Sequence, residues 1–218
     1  MKNGEIFKKM ISKLQYISQG RTTEEQLKNI QQALDAGCEW IQCRYKDCEA
    51  KELIELALKI KKHCSFYNAV FILNDHPEIA KQVNVDGVHL GLMDMKISEA
   101  RKIVGDKIIG GTANTLEDVL NRVEEKCDYI GLGPFRFTST KEKLSPVLGL
   151  EGYKKIMDEL DQREITVPVF AIGGILAEDA PAILETGVHG IAVSGLITNH
   201  ADKKELIAQL NKYFYEHA

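Results

Sequence analysis

Cysteine is scarce in this chain and poorly spaced. There are five, at positions 38, 43, 48, 64 and 127, an odd number with no C-x-x-C pair. That excludes a zinc ribbon and a disulfide framework and leaves buried thiols as the reading. An excess of positive charge is also missing. Lys and Arg number 28 against 32 Asp and Glu, a net charge of −4. No broad basic surface is therefore offered to nucleic acid or to anionic lipid, and any phosphate must be held by local groups. No apolar run approaches the roughly 20 residues that a membrane helix needs. The opening MKNGEIFKKMISK is too charged for a secretory signal, so a cytoplasmic protein is expected. No Gly/Ser-rich linker or low-complexity tract divides the chain. No G-x-G-x-x-G follows the first strand candidate, which disfavours an open doubly wound sheet.

What is present is an alternation. The 218 residues are 44% hydrophobic and 28% charged, an ordinary balance for one globular domain. Short apolar strands are predicted at 14–18, 40–44, 70–73, 87–91, 107–112, 129–134, 168–174 and 190–195. Amphipathic helices are predicted between them, and a last one from Asp202 to Phe214. Thr22-Thr23-Glu24-Glu25 has the pattern of a capping box, and Leu27, Ile30 and Leu34 follow at helical spacing. The strands are near-continuous apolar runs, as parallel strands covered on both faces should be. About eight βα units in this length predict an α/β fold, a (β/α)8 TIM barrel. The whole of 1–218 reads as one such domain, with a short N-terminal extension of about 1–12.

In such a barrel the site lies at the C-terminal ends of the strands. Residues 70–94 read strand, helix, strand, with Asp75 and Asp94 each just past a strand end. Adjacent parallel strands lie about 4.8 Å apart, so the two carboxylates share one edge. They suit a hard cation such as magnesium, or are two turn aspartates. Alternation puts Gln42 and Arg44 on one face of the second strand, with Lys46 continuing it. Polar groups facing a barrel interior need a ligand or a partner, and a barrel carboxylate is the alternative partner for Arg44. After the sixth strand, Thr138, Ser139, Thr140 and Lys141 offer donors for phosphate oxygens, as a solvated loop also would. Gly173 and Gly174, and Val193-Ser194-Gly195, end the last two strands, the usual phosphate side of this fold. His76 can reach a ligand, and His89 reads equally as a core residue. Tyr129 and Phe137 fit a core or a pocket wall.

Together these residues resemble the thiamine phosphate synthase (thiamine-phosphate pyrophosphorylase) family. The resemblance runs from LQYIS at 14–18 to GIAVSGL at 190–196. It is carried by Gln42-x-Arg44-x-Lys46, Asn74-Asp75, DGVHLG at 86–91 with Asp94, GPFRFTSTK at 133–141 and AIGGI at 171–175. It implies a transferase of thiamine biosynthesis that joins hydroxymethylpyrimidine diphosphate to hydroxyethylthiazole phosphate, releasing pyrophosphate. It implies that Gln42, Arg44, Lys46, Asn74 and Lys141 hold the diphosphate and pyrimidine, and that Asp75 and Asp94 bind Mg2+. Thr112 takes the place of a strand-five hydroxyl where serine is common. Thr138, Thr140, Gly173, Gly174, Val193 and Ser194 fall beside the thiazole phosphate. Lys141, Arg44 and Thr112 are the residues to which the resemblance gives a catalytic part.

The chain departs from the family pattern at His76, often Arg, at Leu92, often Gln, and at Asn114, often His. The last bears on the sister thiazole tautomerases, which use a histidine there for proton transfer. An asparagine cannot act as a general base at neutral pH. The alternatives to the synthase are a tautomerase-like barrel and a non-catalytic barrel that binds thiamine phosphate. The expected partners are small-molecule substrates, with no nucleic acid and no membrane, and homo-oligomer formation is left open.

Overall fold

The protein is described by a computed structural model that covers residues 11–46, 48–137 and 146–215. Eight parallel strands close into a barrel in sequence order. They are β1 Leu14–Ile17, β2 Trp40–Cys43, β3 Val70–Asn74, β4 Gly87–Leu90, β5 Ile108–Ala113, β6 Tyr129–Leu132, β7 Val169–Ile172 and β8 Gly190–Val193. The barrel closes where Tyr16 stands opposite Val193. Closure leaves no sheet edge, so every strand is paired on both sides.

Helices return the chain from the end of each strand to the start of the next. They are α1 Thr23–Asp35, α2 Ala50–Tyr67, α3 Pro77–Val83, α4 Ile97–Val104, α5 Leu116–Glu124, α6 Gly149–Gln162, α7 Ala180–Glu185, α8 Gly195–Thr198 and α9 Lys203–Tyr215. The short α8, directly after β8, was not legible as a separate element. A 3-10 turn, Ala177–Asp179, opens the helical stretch expected from Ala177. Thr22 caps α1 by accepting from the Glu25 N–H at 3.2 Å. Glu25 departs from the expected capping box: its carboxylate accepts from the Arg21 N–H at 2.7 Å. At Thr115 the reciprocal box does form, with Asp118 as its second member.

Period-two alternation along each strand sorts the apolar residues into two cores. Outward side chains such as Ile41, Phe71, Leu73, Val88 and Ile130 pack against the helices. Inward side chains build a second cluster of Trp40, Ile72, Tyr129, Phe170 and Ala192, joined by Ile11. Trp40 meets Tyr129 and Phe170 edge to face, at centroid distances of 4.9 and 4.8 Å. This aromatic plug lies at the level of the β2 and β6 starts, so open space is confined to the other end. Burial raises the Cys38, Cys43, Cys64 and Cys127 thiols to about 12, in keeping with inert core thiols.

Candidate active site

The C-terminal mouth of the barrel holds a cavity of about 1210 Å³. Gln42, Arg44, Lys46, Asn74, Thr112, Gly173, Gly174, Val193 and Ser194 all line it. These nine residues come from β2, β3, β5, β7, β8 and the loops that follow them, so the barrel gathers most of the expected set at one place.

On the β2–β4 side, the Gln42 Nε2 donates to Asn74 Oδ1 at 2.9 Å. The Gln42 Oε1 is buried and has no partner among the described residues. An orphaned buried acceptor is costly unless a donor arrives. Arg44 forms no ion pair with a described residue, which removes the alternative of a barrel carboxylate. Asn74 stands opposite His89 in the β3–β4 register, and Asp75 N–H extends that ladder to the His89 carbonyl at 2.9 Å. Asp75 and His76 both hold left-handed backbones, with φ of 58° and 54°.

Asp75 and Asp94 lie against each other, as adjacency of β3 and β4 predicted. Burial pushes the Asp75 carboxyl up, and the Asp94 carboxylate beside it pushes further. Asp94 is held low by its hydrogen bond with Asp75 and by the Gly91 N–H, which donates to Oδ2 at 2.5 Å. The charges of Lys46 and Arg44 act on Asp75 in the opposite sense to its neighbour. The Asp75 Oδ1 is buried without a hydrogen-bond partner among the described residues. Two crowded carboxylates with an unsatisfied oxygen fit a hard divalent cation. Among the described residues no group of three or more His, Cys, Asp or Glu is arranged to hold a metal.

Thr112 is joined to the barrel interior. His89 Nε2 lies 3.0 Å from the Thr112 hydroxyl, and its Nδ1 lies 3.0 Å from the Tyr129 hydroxyl. Tyr129 in turn accepts from Gln15 Nε2 at 3.2 Å. His89 is thus a hydrogen-bonded interior residue that also lines the cavity. Tyr129 is core.

Opposite, the backbone turns at Gly173 and Gly174, with φ of 91° and 70°. A Cβ at Gly174 would meet Arg136 Cγ at 2.8 Å and the Phe137 carbonyl at 3.3 Å. Glycine is needed here for both conformation and packing. Arg136 donates to the Gly174 carbonyl at 2.7 Å and grips Asp179 through both terminal nitrogens, at 2.7 and 3.0 Å. The β6 and β7 loops are tied by that fork. The Ser194 hydroxyl donates to the Ile17 carbonyl at 2.6 Å, so its proton is engaged within the barrel.

Thr138, Thr140 and Lys141 lie outside the described residues. Two contributors were not anticipated. Arg122, buried on α5, reaches the carbonyls of Thr112 and Gly91 and pairs with Glu125. Its signal was an arginine one turn after Val119 on an apolar stripe. The Tyr129–His89 link was signalled only by inward glycines opposite large side chains. Asn114 binds the Ala113 and Gly133 carbonyls through its amide, a clamp between β5 and β6.

The arrangement matches known proteins across its length. The sequence model of the family described as thiamine monophosphate synthase matches residues 14–197. A thiamine-phosphate synthase of Flavobacterium johnsoniae is 59% identical over 94% of this chain and 98% of its own. One from Flavobacterium psychrophilum is 58% identical over 93% of this chain and 99% of its own. The solved structure of a thiamine phosphate pyrophosphorylase from Pyrococcus furiosus superposes with a TM-score of 0.84. It is 32% identical and covers 97% of this chain and 98% of its own. With a closed barrel, a polar mouth built from the expected strand ends and this extent of identity, the chain belongs to the thiamine monophosphate synthase family.

Proposed function

We infer that the protein is a thiamine-phosphate synthase that joins 4-amino-2-methyl-5-hydroxymethylpyrimidine diphosphate to hydroxyethylthiazole phosphate. The observation that carries this reading is that Arg44 and Lys46 line the cavity and their charges act on the neighbouring Asp75–Asp94 pair. Cationic donors beside a carboxylate pair suit a diphosphate that brings a divalent cation with it.

The reaction breaks the bond between the pyrimidine methylene carbon and the diphosphate oxygen. The electron pair leaves with pyrophosphate, and the ring amino group stabilises the carbon cation. The thiazole nitrogen then supplies the pair that forms the carbon–nitrogen bond. No side-chain nucleophile is needed, and this site supplies donors for the leaving group. Arg44 and Lys46 bind the diphosphate oxygens, and Thr112 donates to them from β5. Gln42 Oε1, the orphaned acceptor, takes a hydrogen bond from the pyrimidine amino group. Asn74, already fixed by Gln42, orients the same ring. Asp75 and Asp94 would hold a magnesium ion, which would supply neutralising charge to the departing oxygens.

The thiazole phosphate is assigned to the backbone at Gly173, Gly174, Val193 and Ser194, across the mouth from the diphosphate. Thr138 and Thr140 join it, and Lys141 assists the leaving group, on the family pattern alone. Asn114 is committed to main-chain carbonyls, which speaks against tautomerase chemistry at that position. The buried thiols of Cys38, Cys43, Cys64 and Cys127, which form no disulfide among the described residues, agree with a reducing, cytoplasmic compartment. No described helix is long and apolar enough to cross a membrane.

The test is pyrophosphate release with both substrates, with and without magnesium. Release that needs both substrates and the metal is expected. Binding of thiamine phosphate with no release would replace the enzyme by a binding protein.

A further inference from the structure

Four polar side chains from four strands form one hydrogen-bonded line through the barrel interior: Gln15, Tyr129, His89 and Thr112. The first two are almost wholly buried, and the last faces the cavity. The space for this line is made by glycine. A Cβ at Gly110 would lie 2.1 Å from the Tyr129 ring, and one at Gly131 would lie 3.2 Å from His89 Cε1. Trp40 and Phe170 hold the Tyr129 ring edge-on from the other side.

One direction along this line leaves no buried donor without an acceptor. The Gln15 amide nitrogen can only donate, so Tyr129 accepts from it. Tyr129 then gives its single proton to His89 Nδ1. A neutral imidazole with Nδ1 accepting carries its proton on Nε2 and donates it to Thr112 Oγ1. The Thr112 proton cannot return to His89 and is turned toward the cavity. Burial pushes the Tyr129 phenol far up, so it stays a donor throughout.

We propose that Gln15, Tyr129 and His89 are positioning residues that lock the Thr112 hydroxyl as a donor toward the substrate diphosphate. The proposal rests on the synthase reading for the identity of the acceptor. The direction of the line does not depend on that reading. A hydroxyl free to rotate would spend part of its time as an acceptor, which an anion repels. One whose lone pair is engaged from behind is preorganised to donate.

The experiment uses the full chain labelled with 15N at histidine. Long-range proton–nitrogen correlation distinguishes a proton on Nε2, on Nδ1, or on both. The His89 resonances are assigned by comparison with His89→Gln. The expected parent spectrum shows Nε2 protonated and Nδ1 bare. Nδ1 protonation, alone or in an imidazolium, overturns the proposal. The deciding spectrum is the parent's, and the variant serves only to assign it; should His89→Gln not fold, the resonances that move in Tyr129→Phe supply the assignment.

Tyr129→Phe keeps the ring and removes the hydroxyl. It should shift the His89 pattern toward a mixture of tautomers and lower kcat about tenfold, the effect of losing one hydrogen bond. KM for the thiazole phosphate should stay unchanged. Combined with Thr112→Val, it should lower kcat no further than Thr112→Val alone. A parent-like His89 spectrum in Tyr129→Phe, or additive losses in the pair, would overturn the proposal. If the parent releases no pyrophosphate, the synthase reading falls and the diphosphate acceptor with it, while the spectrum still decides the direction of the line.

Discussion

Arg122 donates from Nε to the Thr112 carbonyl at 3.1 Å, so a helix side chain fixes the strand end that presents a proposed substrate contact. Its Nη2 reaches the Gly91 carbonyl at 2.9 Å. One guanidinium therefore spans the ends of β4 and β5, and its pairing with Glu125 offsets the cost of burying it. Arg122→Met should destabilise the protein by about 3 kcal/mol, because carbonyls and a carboxylate lose a charged donor together. Arg122→Lys should restore little, since one ammonium cannot fork between two carbonyls. Urea unfolding of both variants checks this. A midpoint equal to the parent's in Arg122→Met would mean the clamp is idle.

Asp75→Asn removes one charge from a crowded pair. In metal-free protein this removes a carboxyl whose charge is disfavoured first by burial and then by Asp94, so thermal stability should rise or hold. Magnesium should then protect the variant less than the parent against heat. Turnover should fall on the order of 10²-fold, the loss usual for a group acting on developing charge. Thermal melts with and without magnesium, beside steady-state rates, check both halves. Equal magnesium protection in variant and parent would remove the shared-cation idea.

Burial pushes the Asp179 carboxyl up, but the Arg136 guanidinium and the Leu176 N–H outweigh burial and hold it below its ordinary value. A carboxylate whose folded value is depressed adds stability above its unfolded value and loses it as pH falls through the folded one. The Arg136–Asp179 link is therefore intact above about pH 4 and fails below it. Asp179→Asn should cost about 1 kcal/mol at pH 7, a modest figure because the Arg136 side chain is 43% exposed. The difference from the parent should shrink toward pH 3. Urea titrations at the two pH values test the sign.

Lys141→Met follows from the family pattern and the proposed chemistry. A donor aimed at the leaving pyrophosphate stabilises the transition state more than the ground state. Its loss should lower the chemical step by about 10²–10³ while thiazole phosphate still binds. Single-turnover kinetics on the folded variant, with binding measured by calorimetry, check this. A chemical step as fast as the parent's would leave Lys141 as a solvated surface residue.

The fold was largely legible because both of its periods are written in apolar residues. Strand candidates such as 40–44 and 70–73 carry unbroken hydrophobic runs, and helix candidates such as 97–104 carry one stripe. Much of the mouth was legible as well, because polar residues that end apolar strands, like Gln42 and Asn74, have nowhere else to face. The alternatives for Arg44 and Tyr129 needed three dimensions. Whether an arginine pairs with a carboxylate depends on strands far apart in sequence, and closure of the barrel decides it. The same holds for Gln15 and His89, which lie 114 and 40 residues from Tyr129. Arg122 was missed because a charge on an apolar helical stripe reads as an interruption until the carbonyls it serves are located.

The consecutive left-handed residues Asp75 and His76 bear on engineering. Side chains other than glycine disfavour that conformation by roughly 1–2 kcal/mol each, somewhat less for aspartate. Glycine or asparagine at 75 is therefore the kind of substitution a stability-guided redesign or a consensus search would select. Such a change would raise or hold the melting temperature by discarding a carboxylate oxygen that has no hydrogen-bond partner among the described residues. A heat-tolerance screen run without an activity counter-screen would therefore enrich variants that lack the proposed cation ligand at this turn.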